Sequence, residues 1–241
     1  MNFRNIIAGF VLIGILFNIS TFSGVGVGVD YKGGLNFSNV RGKAIDKAKK
    51  GGIDIKRHIG ANGGIGIGID FGKYFSIQPE IFFSMKGYTS ELGEVIVLDM
   101  SSVDLKISIN YLEIPILFKM NIPDGEFVPN FYIGPSLGIF LNARLKEKSN
   151  NKKKELGIED IDTTSDLTDM YKPVDFGLSM GGGIDIKAGL GRFIIDIRYT
   201  FGFLNILKSK KYQLSGGELL GGEIKNRSLS LILGYGIDFG Y

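Results

Sequence analysis

Residues Leu229–Tyr241 read LSLILGYGIDFGY. Leu229, Leu231, Leu233, Tyr235, Ile237, Phe239 and Tyr241 are apolar or aromatic, and Ser230, Ile232, Gly234, Gly236, Asp238 and Gly240 lie between them. Only Ile232 interrupts the small or polar set. Strict alternation over this length is a strand with two different faces. One face is made mostly of glycine, serine and aspartate, which is unlike the long, charged outer face of a soluble sandwich strand.

The same pattern recurs upstream. Val25, Val27, Val29, Tyr31 and Leu35 alternate with Gly26, Gly28, Asp30, Lys32 and Gly34. Ile65–Phe71, Ile77–Met85, Leu112–Met120, Ile133–Leu141, Val174–Ile186 and Phe193–Phe203 repeat it, which makes eight strands with the C-terminal one. A tilted strand of about 9–11 residues crosses a bilayer, and bacterial barrels use an even number of strands. The connections alternate in length. Asn39–Arg57, Thr89–Asp104, Lys146–Lys172 and Ile206–Asn226 are long, whereas Gly72–Tyr74, Pro123–Val128 and Gly189–Gly191 are short. Short periplasmic turns and long outer loops are the habit of outer-membrane barrels. The expected fold is therefore all-β, an eight-stranded antiparallel up-and-down transmembrane β-barrel, whose last strand closes on Val25–Phe37.

Composition excludes much else. Gly is 36 of 241 residues while hydrophobic residues are 44%, which is incompatible with a disordered chain. The chain has no Cys, so disulfides, thiolate metal sites and cysteine nucleophiles are excluded, and a single His leaves little scope for histidine metal centres. A net charge of +3 gives no nucleic-acid footprint. No cofactor or metal is expected, and no nucleic-acid partner.

Residues 1–23 read as a secretory signal peptide. Arg4 supplies the positive n-region, Ile6–Phe17 is an apolar run of 12, and Thr21 and Ser23 are the small residues before a cut at Gly24. The run is shorter than the roughly 20 residues of a spanning helix. Residues 24–241 then form the barrel domain, destined for the outer membrane.

Charge decides which face looks inward. Fourteen charged residues share the non-apolar face: Asp30, Lys32, Asp70, Glu80, Lys86, Glu113, Lys119, Arg144, Asp175, Asp185, Lys187, Asp196, Arg198 and Asp238. Facing lipid at mid-depth each Lys or Arg would cost about 2–4 kcal/mol, so the set belongs inside. The interior of eight strands is just wide enough to be filled by side chains, and glycine neighbours leave room for the large ones. A closed polar lumen is expected. Glu80, Glu113, Lys119, Asp196 and Arg198 are the candidates for a structural ion-pair network within it. Tyr31, Tyr74, Phe75, Tyr132, Tyr199 and Tyr241 suit the interfacial girdles.

Several blocks resemble the PorT-type outer-membrane β-barrel proteins of Bacteroidetes-like bacteria, with an architecture similar to small OmpX/OmpA-type barrels. They are YKGGLNFSN (Tyr31–Asn39), IQPEIFFSMKGY (Ile77–Tyr88), YLEIPILFK (Tyr111–Lys119), IGPSLGIFL (Ile133–Leu141), DFGLSMGGGID (Asp175–Asp185), DIRYTFGFLN (Asp196–Asn205) and NRSLSLILG (Asn226–Gly234). The resemblance implies an outer-membrane location, and some members take part in secretion and gliding.

No residue set reads as catalytic. His58, at the end of the first long loop near Asp54 and Arg57, reads as a solvated loop residue. GANGGIGIG at Gly60–Gly68 lacks the Lys-Ser/Thr of a phosphate loop. The acidic stretch Glu155–Asp169 lacks the spacing of a calcium loop. The first outer loop holds seven Lys/Arg against two Asp within 39–58, a charge suited to lipopolysaccharide phosphates. The expected function is that of a non-enzymatic barrel with surface loops for interaction or envelope structure. Its expected partners are outer-membrane lipid, lipopolysaccharide, the barrel assembly machinery, which would read the C-terminal strand, and a protein engaging the loops. The alternative is a barrel enzyme acting on lipid or peptide at the outer rim.

Overall fold

The computed structural model describes residues 25–92, 103–149, 162–208, 212–214, 217–219 and 222–239. The proposed signal peptide, Gly240 and Tyr241 lie outside them. Eight long strands form the wall: β1 Val25–Arg41, β2 Asp54–Phe71, β3 Phe75–Leu92, β4 Val103–Asn121, β5 Phe127–Ser149, β7 Val174–Ala188, β8 Gly191–Gly202 and β11 Lys225–Phe239. Every neighbouring pair is antiparallel. The order runs β4-β3-β2-β1-β11-β8-β7-β5, and β4 pairs with β5 to close the ring. Closure is what allows strands to span lipid, because no edge is left with unpaired backbone groups. The seam between first and last strands runs from Val27 opposite Phe239 to Arg41 opposite Lys225.

The wall has the expected two faces. Leu229, Leu231, Leu233, Tyr235 and Phe239 are exposed on the outside, while Ser228, Ser230 and Ile232 are buried inside. Where the chain turns tightly at the short-turn end, Gly72 and Gly189 take φ values of 71° and 62°, which residues with a Cβ rarely adopt.

At the other end the strands overrun the bilayer. β5 is 23 residues long and β4 is 19. Three of the long connections hold structure of their own. The first holds helix α1, Lys43–Lys50. The third holds a short strand β6, Asp162–Asp166, which pairs with the top of β5, and a 3-10 turn at Thr168–Met170. The fourth holds a small hairpin of β9 Tyr212–Leu214 and β10 Gly217–Leu219.

Two irregularities reset the alternation above the bilayer. In β2 the pairing with β3 shifts between Arg57 and Asn62. In β5, Phe140 lies opposite Tyr111 but Asn142 lies opposite Asn110, so Leu141 is an extra residue. Past such a bulge the faces exchange. Ala143 is buried and Arg144 is exposed, which corrects the expectation that Arg144 faces the lumen.

Candidate functional site

The lumen is filled by a continuous ion-pair array. Arg198 on β8 reaches across to Glu80 on β3 with two hydrogen bonds, Nη1 to Oε2 at 2.6 Å and Nη2 to Oε1 at 3.1 Å. Such a fork on a carboxylate is the strongest form of this contact. Lys32 Nζ donates to Glu80 Oε1 at 2.8 Å. Gln78 Nε2 donates to Glu80 and also to Asp30 Oδ2, at 2.8 and 3.0 Å. Arg192 then donates to the other oxygen of Asp30 at 2.7 Å and lies 3.4 Å from Asp185. Lys119 donates to Asp185 at 2.7 Å. Asp196 accepts from the Tyr132 hydroxyl at 2.8 Å, and that hydroxyl accepts from Arg198 Nε at 3.2 Å. The Arg198 guanidinium also lies over the Phe82 and Tyr132 rings, 5.2 and 5.4 Å from their centroids.

Asp30, Glu80, Asp185 and Asp196 thus stand against Lys32, Lys119, Arg192 and Arg198, and Arg192 meets a further acid, Asp238, at the short-turn rim. All except Arg192 and Asp238 are buried. Such charges are tolerated inside only when paired and hydrogen-bonded. Small residues make the space. A Cβ on Gly66 would sit 3.1 Å from the Glu80 side chain, and one on Gly28 would crowd Asp238 at 2.8 Å.

Of the five residues expected in one network, Glu80, Asp196 and Arg198 meet directly, and Lys119 joins them through Asp185, Arg192 and Asp30. Glu113 does not. It is bound by Lys86, whose ammonium lies 5.6 Å from the Tyr111 ring centroid. Nearby, Asn226 Nδ2 donates to Asp175 Oδ2 at 2.9 Å and to the Tyr111 hydroxyl at 3.1 Å. This is a second cluster, nearer the outer mouth. Asp30, Lys32, Lys86 and Asp185 were already on the inward-facing set, but alternation could not say which would meet. Arg192 lies outside the strand expected from alternation, which begins at Phe193, because the observed strand starts at Gly191. Tyr132, expected in an interfacial girdle, is 6% exposed and points inward. Its place between Phe131 and Ile133, on the register of Gly134 and Ser136, carried that information.

Between the clusters a belt of neutral groups continues the filling. Asn36 Nδ2 donates to Ser84 Oγ at 2.8 Å, and its Oδ1 accepts from Asn62 and Ser230 at 2.7 and 2.6 Å. The spaces left in these layers measure about 10 Å³ each, room for one water at most. At the short-turn end the lumen widens into a vestibule of about 580 Å³ lined by Asp70, Lys73, Lys119, Asp185, Lys187 and Arg192.

The outer end is sealed differently. Val40, Ala44, Ile45, Ala48, Ile55, Tyr88, Ile109, Tyr111, Ala143, Tyr171, Ile206 and Ile224 form one buried apolar core. Phe140 stacks on Tyr171, centroids 5.6 Å apart. Burial pushes the Tyr171 phenol well above its ordinary pKa, so it stays neutral.

His58 belongs to β2 and is 1% exposed, which corrects its reading as a solvated loop residue. The strand starts earlier than the apolar alternation showed, because Asp54–Arg57 is charged. Its Nε2 lies 3.5 Å from Ser108 Oγ, and its Nδ1 has no hydrogen-bond partner among the described residues. A general base needs an orienting group on one nitrogen and a reachable proton at the other. Among the described residues this histidine has no orienting carboxylate, and it is buried. No group of three acidic, His or Cys side chains is placed to hold a metal among the described residues.

Comparison with known proteins places the chain in its family. Residues 21–208 match the model of the outer membrane protein beta-barrel domain. No curated protein matches the chain. Solved structures similar to it include Ail, the attachment invasion locus protein of Yersinia pestis, at 13% identity and TM-score 0.39, covering 88% of this chain and 99% of that one. OprG of Pseudomonas aeruginosa has 13% identity and TM-score 0.45 over 90% and 97%. Neisserial surface protein A has 12% identity and TM-score 0.37 over 90% and 98%. A closed ring of eight antiparallel strands, apolar outside and charged within, and the family match over residues 21–208 agree: the chain belongs to the outer membrane protein beta-barrel domain family.

Proposed function

We infer that this protein is a non-enzymatic integral barrel of the outer membrane that acts through its outer surface and does not conduct solute. The observation that carries the reading is the double closure of the lumen, by the Glu80–Arg198 array in the middle and the Tyr171 core above it. A water-filled path would need a gap through both. The sequence blocks shared with PorT-type proteins support that subfamily and a role beside secretion machinery. His58, buried and without a carboxylate on its ring among the described residues, gives no support to lipid or peptide chemistry at the rim. The C-terminal strand supports recognition by the assembly machinery, since it carries an apolar face and its edge is free only before closure.

Planar-bilayer recording of the refolded protein tests the reading. The expected trace is silent, with rare brief openings at most. A stable conductance of the size given by open porins would overturn it. N-terminal sequencing of membrane-purified protein, expected to begin near Gly24, tests the secretory route in parallel.

A further inference from the structure

The charge of the first outer connection sits on an anchored helix. α1 buries Ala44, Ile45 and Ala48 in the apolar core. Just before it, Gly42 has φ 134°, and a Cβ there would overlap the Glu223 carbonyl oxygen; one on Gly222 would crowd the Ala44 Cβ at 2.8 Å. The helix is therefore clamped to the wall and to the 222–224 segment. Its other face exposes Lys43, Lys47, Lys49 and Lys50, with Asp46 as the one acid of the helix.

Lys43, Lys47 and Lys50 stand at i, i+4 and i+7, on one stripe. Seven residues at the helical rise span about 10 Å. Lysines in the last turn are favoured by the helix dipole, but Lys43 lies in the first turn, where a cation is disfavoured. Like charges one turn apart also repel. The nearby Glu223 carboxylate answers Lys43 in part, but the repulsion along the stripe is left over, and a ligand with anionic groups repeated over some 10 Å would answer it.

We propose that the α1 lysine stripe docks on the phosphate groups of lipopolysaccharide in the protein's own outer leaflet, bridging more than one phosphate. This rests on the outer-membrane, surface-acting reading above. The stripe follows directly from the outer end of β1, so the barrel holds it beside the saccharide layer at a high effective concentration. Lysine binds phosphate as a point charge, and several together select a polyanion over a single ion.

The test uses the full mature chain folded in phospholipid nanodiscs, titrated at low salt with phosphorylated and with enzymatically dephosphorylated lipopolysaccharide. The parent is expected to bind the phosphorylated form at least tenfold tighter. Lys43→Gln, Lys47→Gln and Lys50→Gln combined should abolish that preference, and the three Arg replacements should keep it. Heat-modifiable migration shows that each variant is folded, and the dephosphorylated arm on the parent needs no variant. Equal binding of both forms by the parent, or an undiminished preference in the Gln variant, overturns the proposal. Tighter capture of soluble heparin than of lipopolysaccharide overturns it in favour of a sulfated polymer from outside. Planar-bilayer recording of the same protein preparations keeps the two readings apart. A conducting barrel that retains the phosphate preference breaks the closed-lumen reading alone, and a silent barrel without it breaks only this proposal.

Discussion

The two ends of the barrel are built on opposite rules. In the membrane-facing half the inside is charged, with Asp30, Glu80, Asp196 and Arg198 buried, and the outside carries Ile65, Ile81, Ile197 and Leu231 exposed. Above it, the inside holds Ile55, Tyr88, Ile109 and Tyr171, and the outside carries Lys56, Arg57, Lys106 and Arg144. One wall thus passes from one arrangement to the other. The reason is the solvent on its outer side. Where lipid surrounds the wall, apolar side chains gain nothing by pointing inward, and the charges must be hidden in the lumen. Where water surrounds it, the hydrophobic effect gathers the apolar residues at the centre, as in a soluble domain. The bulge at Leu141 is one of the points where β5 makes the exchange.

Breaking both halves at once should have the largest effect. Inserting one Gly between Leu233 and Gly234 slips β11 by a residue and turns its apolar set inward. Deleting Phe239–Tyr241 shortens the seam that pairs Phe239 with Val27. Either change is expected to leave almost no heat-modifiable barrel in the outer membrane. Normal barrel levels after both would mean that β11 does not close the ring.

Next comes the charged half alone. Arg198→Ala leaves Glu80 without its fork and should cost about 3–5 kcal/mol, because it strands a buried charge. Urea unfolding of the refolded protein measures it. A variant that melts with the parent would show that water in the lumen replaces the guanidinium.

The apolar half should answer differently. Ile45→Ala removes a side chain that is 2% exposed in the cap core and is expected to cost about 2–4 kcal/mol, confined to the outer structure. The observable is faster proteolysis within Lys43–Lys50 with unchanged heat-modifiability. If the whole barrel loses stability instead, the cap and the charged array form one cooperative unit.

The smallest effect is expected where the two halves meet. Glu113 is held by Lys86, and its side chain is 15% exposed. Glu113→Ala should cost about 1.5–3 kcal/mol, the range for a hydrogen bond to a charged group. Its expected place below Arg198→Ala ranks the two clusters, and an inverted order would make the upper cluster the stronger one.

The ring of eight strands was legible because a strand in lipid has to be apolar on every second residue for its whole length. Leu229–Phe239 states that rule almost without exception. The inward-facing charges followed from the same alternation, and with them Glu80, Asp196 and Arg198. Alternation says which face a residue takes but not which residue it meets across the lumen. Glu80 and Arg198 are 118 positions apart and come together only when tilt and register are set around the closed ring. The same holds for Glu113, whose partner Lys86 is placed by the β3–β4 register. Above the bilayer the rule that made the reading possible no longer applies. There the strands carry charges outside and apolar groups inside, the faces exchange at irregularities such as Arg57–Asn62, and α1 folds only because a core exists to receive Ile45. Hydropathy period by itself determined the membrane-spanning wall, because lipid acts on each residue locally. The ion pairs, the buried His58 and the apolar cap were decided by tertiary structure, because their energies depend on neighbours that only the closed barrel brings together.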